Sequence, residues 1–130
     1  VLGTANYVAP ESIDNAIVDA RADIYGLGLT LYHLISGVVP FDASSTVKVL
    51  QLVRSEPAPR LDGRPGVTPE LAEVCARMTA KSPDLRPPDM ADVGRALANA
   101  AMTLHAPASP YELAALVRKI VSAPQRPPRA

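Results

Sequence analysis

Residues able to perform chemistry are few in this 130-residue chain, and their spacing does not form a complete active site. His33 and His105 have no metal-ligating residues clustered around them in the sequence. His33 falls inside a predicted helix, where a single histidine is typically a packing residue. Cys75 falls on the predicted inner face of another helix, where we expect an inert, small hydrophobic residue. The sequence therefore predicts no catalytic nucleophile and no metal site in this chain.

The glycines Gly26 and Gly28 could be mistaken for part of a phosphate-binding loop. Such loops follow a strand and open a helix, whereas these two glycines lie within a helical pattern. We therefore expect them to permit close packing of the helix backbone instead.

The stretch Asp19–Gly37 predicts the central helix of the fold. Asp19 is a good N-cap, Asp23 adds negative charge to the first turn, and Gly37 suits the C-terminal end. Leu29 and Tyr32 make the helix apolar nearly all round, which is typical of a buried helix. It is too short and too interrupted to span a bilayer. One predicted face consists of Ile24, Leu27, Leu31, Leu34 and Ile35.

Three further helices are predicted from their capping residues, and strand signals are almost absent. Ser44 or Ser45 begins the first, Thr68 followed by Pro69 begins the second, and Asp89 begins the third. Their predicted inner faces are Val47, Leu50 and Val53; Leu71, Val74, Cys75 and Met78; and Met90, Val93 and Leu97. The fold class is mostly α: a helical bundle around a buried central helix.

The C-terminal part is predicted to be organised separately from residues 1–101. Residues 102–109 form a linker, 110–122 form an amphipathic tail helix with a capping box, and 123–130 are disordered. The apolar stripe of this tail helix comprises Leu113, Leu116, Val117, Ile120 and Val121.

Composition limits the possible partners. With 13 basic and 13 acidic residues, the chain has no charge excess for binding nucleic acid. A single cysteine suits a reducing compartment, so we expect a cytoplasmic location, and no membrane segment is predicted. Arginine-rich composition suggests a bacterial source, and the opening residues Val-Leu-Gly-Thr suggest a piece of a longer protein.

Four motifs resemble the eukaryotic-type protein kinases, in the order in which that family carries them. Residues 3–11 (GTANYVAPE) resemble the end of the activation segment, with its A-P-E element. Residues 23–28 resemble the D-x-Y-S-L-G that opens the buried helix of the large lobe. Residues 31–37 together with Pro40-Phe41 resemble L-Y-E-L-L-T-G and P-F, and residues 83–87 resemble P-x-x-R-P. The resemblance implies the C-terminal lobe of a bacterial serine/threonine kinase over roughly residues 1–100.

The resemblance also implies roles for individual residues. Glu11 and Arg86, which taken singly would be ordinary surface charges, should form a buried ion pair. Asp23 should hold the backbone of the catalytic loop. Thr4 should lie beside the catalytic aspartate, and its identity favours the Ser/Thr branch. The pocket for the residue after the phosphorylated one should involve Tyr7, Val8 and Ala9.

The chain also departs from the family pattern. His33 stands where many members carry glutamate, which makes a preference for basic substrates unexpected. The Gly-rich loop, V-A-I-K, the helix glutamate, H-R-D and D-F-G are absent from these 130 residues, and phosphoryl transfer depends on them. ATP and Mg are therefore expected for a full-length kinase acting in signal transduction on Ser/Thr of a protein substrate. No cofactor is expected here, and the chain alone should be inactive without the kinase N-terminal lobe and catalytic loop. The alternative hypothesis is a non-catalytic, kinase-like binding or regulatory module.

Overall fold

The computed structural model describes residues 5–14, 16–104, 114, 115, 118 and 122. Helices dominate these residues, and no strand occurs among them, which confirms the mostly α prediction. The helices are α1 (Pro10–Ile13), α2 (Ala20–Ser36), α3 (Thr46–Ser55), α4 (Pro69–Met78) and α5 (Met90–Met102), with a 3-10 turn at Pro83–Leu85.

Helix α2 begins and ends where its capping residues predict. The carboxylate of Asp19 accepts a 2.9 Å hydrogen bond from the backbone N–H of Arg21. Gly37 has a φ of 77°, and its N–H donates to the carbonyl of His33 at 2.8 Å. Glycine adopts this left-handed backbone at little cost, so it ends the helix cleanly.

The caps of the next three helices also match the predictions. Ser45, Thr68 and Asp89 each accept a hydrogen bond from a backbone N–H in the first turn that follows. Each cap satisfies a donor that the helix itself leaves unpaired.

Helix α2 lies at the centre because each of its inner faces enters a different part of the core. Tyr25 and Leu29 pack with Phe41 and the inner face of α3. Ile24 packs against α4 and α5, and Tyr32 packs with Leu61 and other residues. Tyr25 is 0% and Tyr32 3% exposed, which confirms that both are core residues.

The predicted stripe of α2 was partly wrong. Leu27 is 42% and Leu34 79% exposed, while the buried positions are Ile24, Tyr25, Gly28, Leu29 and Tyr32. Because this helix is apolar nearly all round, spacing could not decide which face would be covered. Val47 and Met90, in the first turns of α3 and α5, are likewise exposed rather than buried.

Gly28 allows α2 and α4 to touch at the backbone, as the sequence predicted. A Cβ at this position would lie 2.8 Å from the Cβ of Met78 and 2.8 Å from Cγ2 of Thr79. A Cβ on Gly26 would lie 3.2 Å from the carbonyl oxygen of Tyr7. The two 2.8 Å contacts at Gly28 leave no room for a side chain at that position.

Most of the predicted C-terminal arrangement lies outside the described residues. Residues 105–113 and 123–130 fall in this category, and with them most of the predicted linker and the terminal segment. Four positions within 110–122 are described, and all four have helical backbone: Ala114, Ala115, Arg118 and Ser122. Among all described residues, no helix combines the length and hydropathy needed to cross a bilayer.

Candidate functional site

The candidate site is the segment Ala5–Asp14 and the part of the lobe that holds it. Ala5 and Ala9 are buried and belong to the same core cluster as Tyr25 and Phe41. Tyr7 and Val8 are half-buried between them. The pattern of small buried and larger half-buried residues fixes the segment on the lobe and leaves part of it accessible. Thr4 lies outside the described residues.

Glu11 and Arg86 are brought together, although 75 residues separate them. Nη1 of Arg86 donates to Oε1 of Glu11 at 2.6 Å, and Nη2 donates to Oε2 at 2.9 Å. The side chain of Arg86 is 0% exposed and that of Glu11 9%. This bidentate geometry is the one that a planar guanidinium and a carboxylate favour.

All five N–H donors of Arg86 are used, which explains why its charge can be buried. The remaining three bonds go to backbone carbonyls: Ala80 at 2.8 Å, Arg21 at 2.8 Å and Lys81 at 3.0 Å. The guanidinium carbon also lies 4.8 Å from the centre of the Tyr25 ring. Arg86 thus joins the site segment, the start of α2 and the loop after α4.

The electrostatics of Glu11 reflect two opposing effects. Burial is the largest single influence and disfavours the charged form, but the hydrogen bonds and charge of Arg86, together with a backbone hydrogen bond, outweigh it and hold the pKa of Glu11 below its ordinary value. The carboxylate is therefore ionised at neutral pH, as the ion pair requires.

Tyr7 and His33 form a second connection between the segment and α2. The phenol oxygen of Tyr7 and Nδ1 of His33 share a hydrogen bond of 2.8 Å, and the rings are stacked with centroids 6.4 Å apart. Sequence reasoning treated His33 as a packing residue and missed this partner. The signal was present, because both residues stand at motif positions, but no pattern gives the distance between them.

Asp23 is exposed near the start of α2. Leu27, Thr30 and Leu34 are also exposed, and their spacing of four, three and four residues places all four side chains on one helical face. A carboxylate at one end of a largely apolar, uncovered face is a geometry suited to receiving another part of a protein.

Lys81 was also missed by the sequence analysis. Its Nζ donates to the carbonyl of Val53 at the end of α3 and to the hydroxyl of Tyr25 at 3.2 Å, and lies 4.3 Å from the centre of the Phe41 ring. Burial, with a contribution from the charge of Arg86, lowers the pKa of Lys81 to about 8. This lysine ties α3 to the loop that carries Arg86.

Cys75 is buried, and its Sγ lies 3.6 Å from the carbonyl oxygen of Gly28. Burial raises the pKa of the Cys75 thiol to about 11. The thiol is therefore neutral at physiological pH, which suits a packing residue rather than a nucleophile.

The described residues offer neither a cluster of metal ligands nor, beside Lys81, a cavity of nucleotide size. No group of three His, Cys, Asp or Glu side chains within them could hold a metal. The cavity beside Lys81 has a volume of about 210 Å³, below the range usual for ligand pockets. Its other cationic side chain, Arg60, already binds Asp62 and Glu73.

Comparison with known proteins defines the class to which this fold and site belong. Residues 1–96 match the family model described as "Protein kinase domain". The chain therefore belongs to the protein kinase family, and the resemblance noted from its motifs is confirmed.

The relatives are bacterial serine/threonine kinases. The chain is 45% identical over 87 residues to serine/threonine-protein kinase PknB of Mycolicibacterium smegmatis, covering 66% of the chain and 14% of that relative. It is 40% identical over 87 residues to PknB of Mycobacterium tuberculosis strain H37Rv, with the same two coverages. Probable serine/threonine-protein kinase pknA2 of Bifidobacterium longum is 34% identical over 114 residues, which cover 87% of the chain and 15% of the relative. The chain thus spans a small part of the length of the relatives it matches.

Proposed function

We propose that this chain is the substrate-side portion of a bacterial serine/threonine protein kinase. In the complete enzyme, the γ-phosphate of ATP would be transferred to a serine or threonine hydroxyl of a protein substrate. The observation that carries the proposal is the fully satisfied contact of Arg86 with Glu11, which holds the segment Ala5–Asp14 in a fixed place on α2. A segment held in this way offers a rigid surface against which a substrate chain can be positioned.

The individual roles are those that the resemblance to the kinase family implies. Tyr7 and Val8, which are half-buried, would shape the pocket for the residue after the phosphorylated one, with Ala9 beneath them in the core. Thr4 would lie beside the catalytic aspartate. Asp23 would accept hydrogen bonds from the backbone of the catalytic loop and act as a positioning residue.

The missing chemistry would come from an upstream half of the kinase domain. Nucleotide- and metal-holding motifs are absent from the sequence, and the cavity beside Lys81 is too small for ATP. The exposed face of α2, with Leu27 and Leu34 below Asp23, would be covered by that half. We place this activity in the cytoplasm, in a signalling role, because the sequence contains a single cysteine, Cys75, which suits a reducing compartment.

The alternative function is a non-catalytic binding or regulatory module. The same exposed face of α2 favours it, since a partner protein could cover that face as well as an upstream kinase half could. The two functions differ in whether phosphate is transferred once an upstream half is present.

The deciding experiment extends the chain at its N-terminus with an upstream kinase half that carries intact H-R-D and D-F-G motifs. The extended protein should transfer phosphate from Mg-ATP to serine or threonine, as shown by phosphoamino-acid analysis. The 130-residue chain alone should show no binding of Mg-ATP by calorimetry. An extended protein that folds and binds ATP but phosphorylates only tyrosine, or nothing, would contradict the kinase proposal.

A further inference from the structure

Helix α5 has a second apolar face in addition to the one that enters the core. Val93 and Ala100 are buried, and Leu97 packs beside them against α4 and Ile24. At 3.6 residues per turn, the second apolar face lies directly beside the first and covers an arc of about 120°. Its members are all small or apolar and all exposed: Met90, Ala91, Gly94, Ala98, Ala101 and Met102.

The C-terminal half of this second face forms an open groove. The groove has a volume of about 420 Å³ and is lined by Ala98, Ala101, Met102 and Leu104. Met102 is 84% exposed and Leu104 36%. A surface helix normally turns a polar face to water, so an uninterrupted apolar arc of this kind marks a contact surface.

We propose that the chain's own tail, residues 110–122, covers this face as a helix that folds back antiparallel to α5. The first support is the pattern of the four described tail residues. Ala115, Arg118 and Ser122 are exposed, whereas Ala114 is half-buried. On a helix, the first three share one side, and the apolar stripe from Leu113 to Val121 falls on the opposite side.

The second support is chain geometry. The continuously described chain ends at Leu104, beside the groove, and 26 residues follow it. Five residues, 105–109, separate Leu104 from the predicted helix start, and helix–helix connections typically take about two to eight. Helix α5 has 13 residues, and residues 110–122 are equally many, so at about 1.5 Å per residue both helices would be about 20 Å long.

The third support is the size of the residues on the receiving face. Gly94, Ala98 and Ala101 follow one another at four- and three-residue spacing, and a Cβ at Gly94 would meet no atom within 4 Å. Small side chains let the larger residues of a second helix approach closely. An isolated 13-residue helix is marginal in water, so the tail gains stability by docking.

Intramolecular docking is favoured over a second copy of the chain because of effective concentration. A connection of only five residues gives the tail a local concentration of about millimolar at the groove. A second copy of the chain would occupy the same face to a similar extent only if the protein concentration were itself about millimolar.

Amide hydrogen exchange on the 130-residue chain tests the proposal. Residues 110–122 should be protected, and Ala98→Glu together with Ala101→Glu on α5 should speed their exchange by about tenfold or more, because docking is lost. Asn99→Glu, on the polar side of α5, is the matched control and should leave tail exchange unchanged. The reciprocal pair is Leu116→Glu with Ile120→Glu, whose control is Ala115→Glu on the exposed side of the tail.

The outcomes separate the possible occupants of the groove. If the tail is equally protected at low and high protein concentration, and light scattering shows a monomer, the result supports docking within the chain. Protection found only in a dimer would assign the groove to a second copy and overturn the proposal. A tail that exchanges freely, or that stays protected in the α5 double variant, would also overturn it.

Discussion

The phenol oxygen of Tyr7 lies 2.8 Å from Nδ1 of His33, although the two residues are 26 positions apart. One belongs to the candidate substrate-side segment and the other to the central helix α2. The contact makes the position of the segment depend on a side chain in the last turn of a helix that is otherwise anchored in the core.

The Tyr7–His33 contact should be measurable as a coupling energy. We expect the double-mutant cycle of Tyr7→Phe and His33→Ala to give about 0.5–1.5 kcal/mol of coupling in urea unfolding, the usual net value of such a hydrogen bond. Tyr7→Phe combined with Ser36→Ala is the control, since Ser36 bonds to Val38 at the end of the same helix. Additivity in both cycles would show that the hydrogen bond does not contribute to stability.

Removing Arg86 should destabilise the lobe far more than removing an exposed arginine. Arg86→Ala leaves the Glu11 carboxylate and three carbonyls without their partner, and breaking a buried pair costs about 3–5 kcal/mol. Arg95→Ala is the matched control, because the Arg95 side chain is 66% exposed in a surface pair with Asp92. Surface pairs contribute about 0–1 kcal/mol. Equal unfolding midpoints for the two variants would contradict the buried ion pair.

Acid should weaken the contribution of Glu11 to stability. The pKa of Glu11 in the folded chain is below its ordinary value of 4.5, so below about that pH the unfolded state binds more protons than the folded state. Stability from this group is therefore present above pH 4.5 and is lost as pH falls toward the folded pKa. Between pH 6 and pH 3, the stability difference between the wild type and Glu11→Gln should shrink in urea unfolding. Ser12→Ala, an exposed neighbour, should keep the wild-type slope, and a pH-independent difference would refute the assignment.

Two glycine-to-alanine substitutions should have opposite effects. Gly28→Ala places a methyl group 2.8 Å from atoms of Met78 and Thr79, so α2 and α4 must separate. Overpacking of this kind costs about 1–3 kcal/mol. Gly94→Ala meets open space in α5 and should instead stabilise the chain by up to about 1 kcal/mol. Thermal unfolding distinguishes the two, and a Gly28→Ala variant as stable as wild type would rule out the close packing.

Helix ends could be predicted from the sequence because capping depends on local chemistry. Asp19, Ser45, Thr68 and Asp89 each satisfy a neighbouring N–H, so three or four adjacent residues suffice to recognise the pattern. The family resemblance predicted the fold for the same reason, because its motifs are also short and local.

The buried faces and the site contacts were harder to predict because they depend on distant partners. Leu27 and Leu34 have the right spacing for a core stripe, yet tertiary packing covers Tyr25 and Leu29 instead. Similarly, no local pattern shows that Lys81 reaches the carbonyl of Val53 across 28 residues. Around Arg86, the carbonyl of Arg21 comes from 65 residues away, whereas those of Ala80 and Lys81 lie only six and five residues before it. The sequence motif predicted the carboxylate partner of Arg86 but not these backbone contacts.

The last prediction concerns Asp23 in the extended kinase of the proposed function. If Asp23 holds the catalytic loop, Asp23→Ala should lower kcat by roughly a hundredfold through misplacement of that loop, with a smaller change in KM for ATP. Asp84→Ala is the matched control, because the Asp84 side chain is 86% exposed in a surface pair and should leave kcat unchanged. In the 130-residue chain, Asp23 is exposed in the first turn of α2, so the substitution should cost only about 0.3–1 kcal/mol of stability there. A large loss of stability in the short chain would identify Asp23 as a structural residue, and an unchanged kcat in the extended kinase would exclude the positioning role.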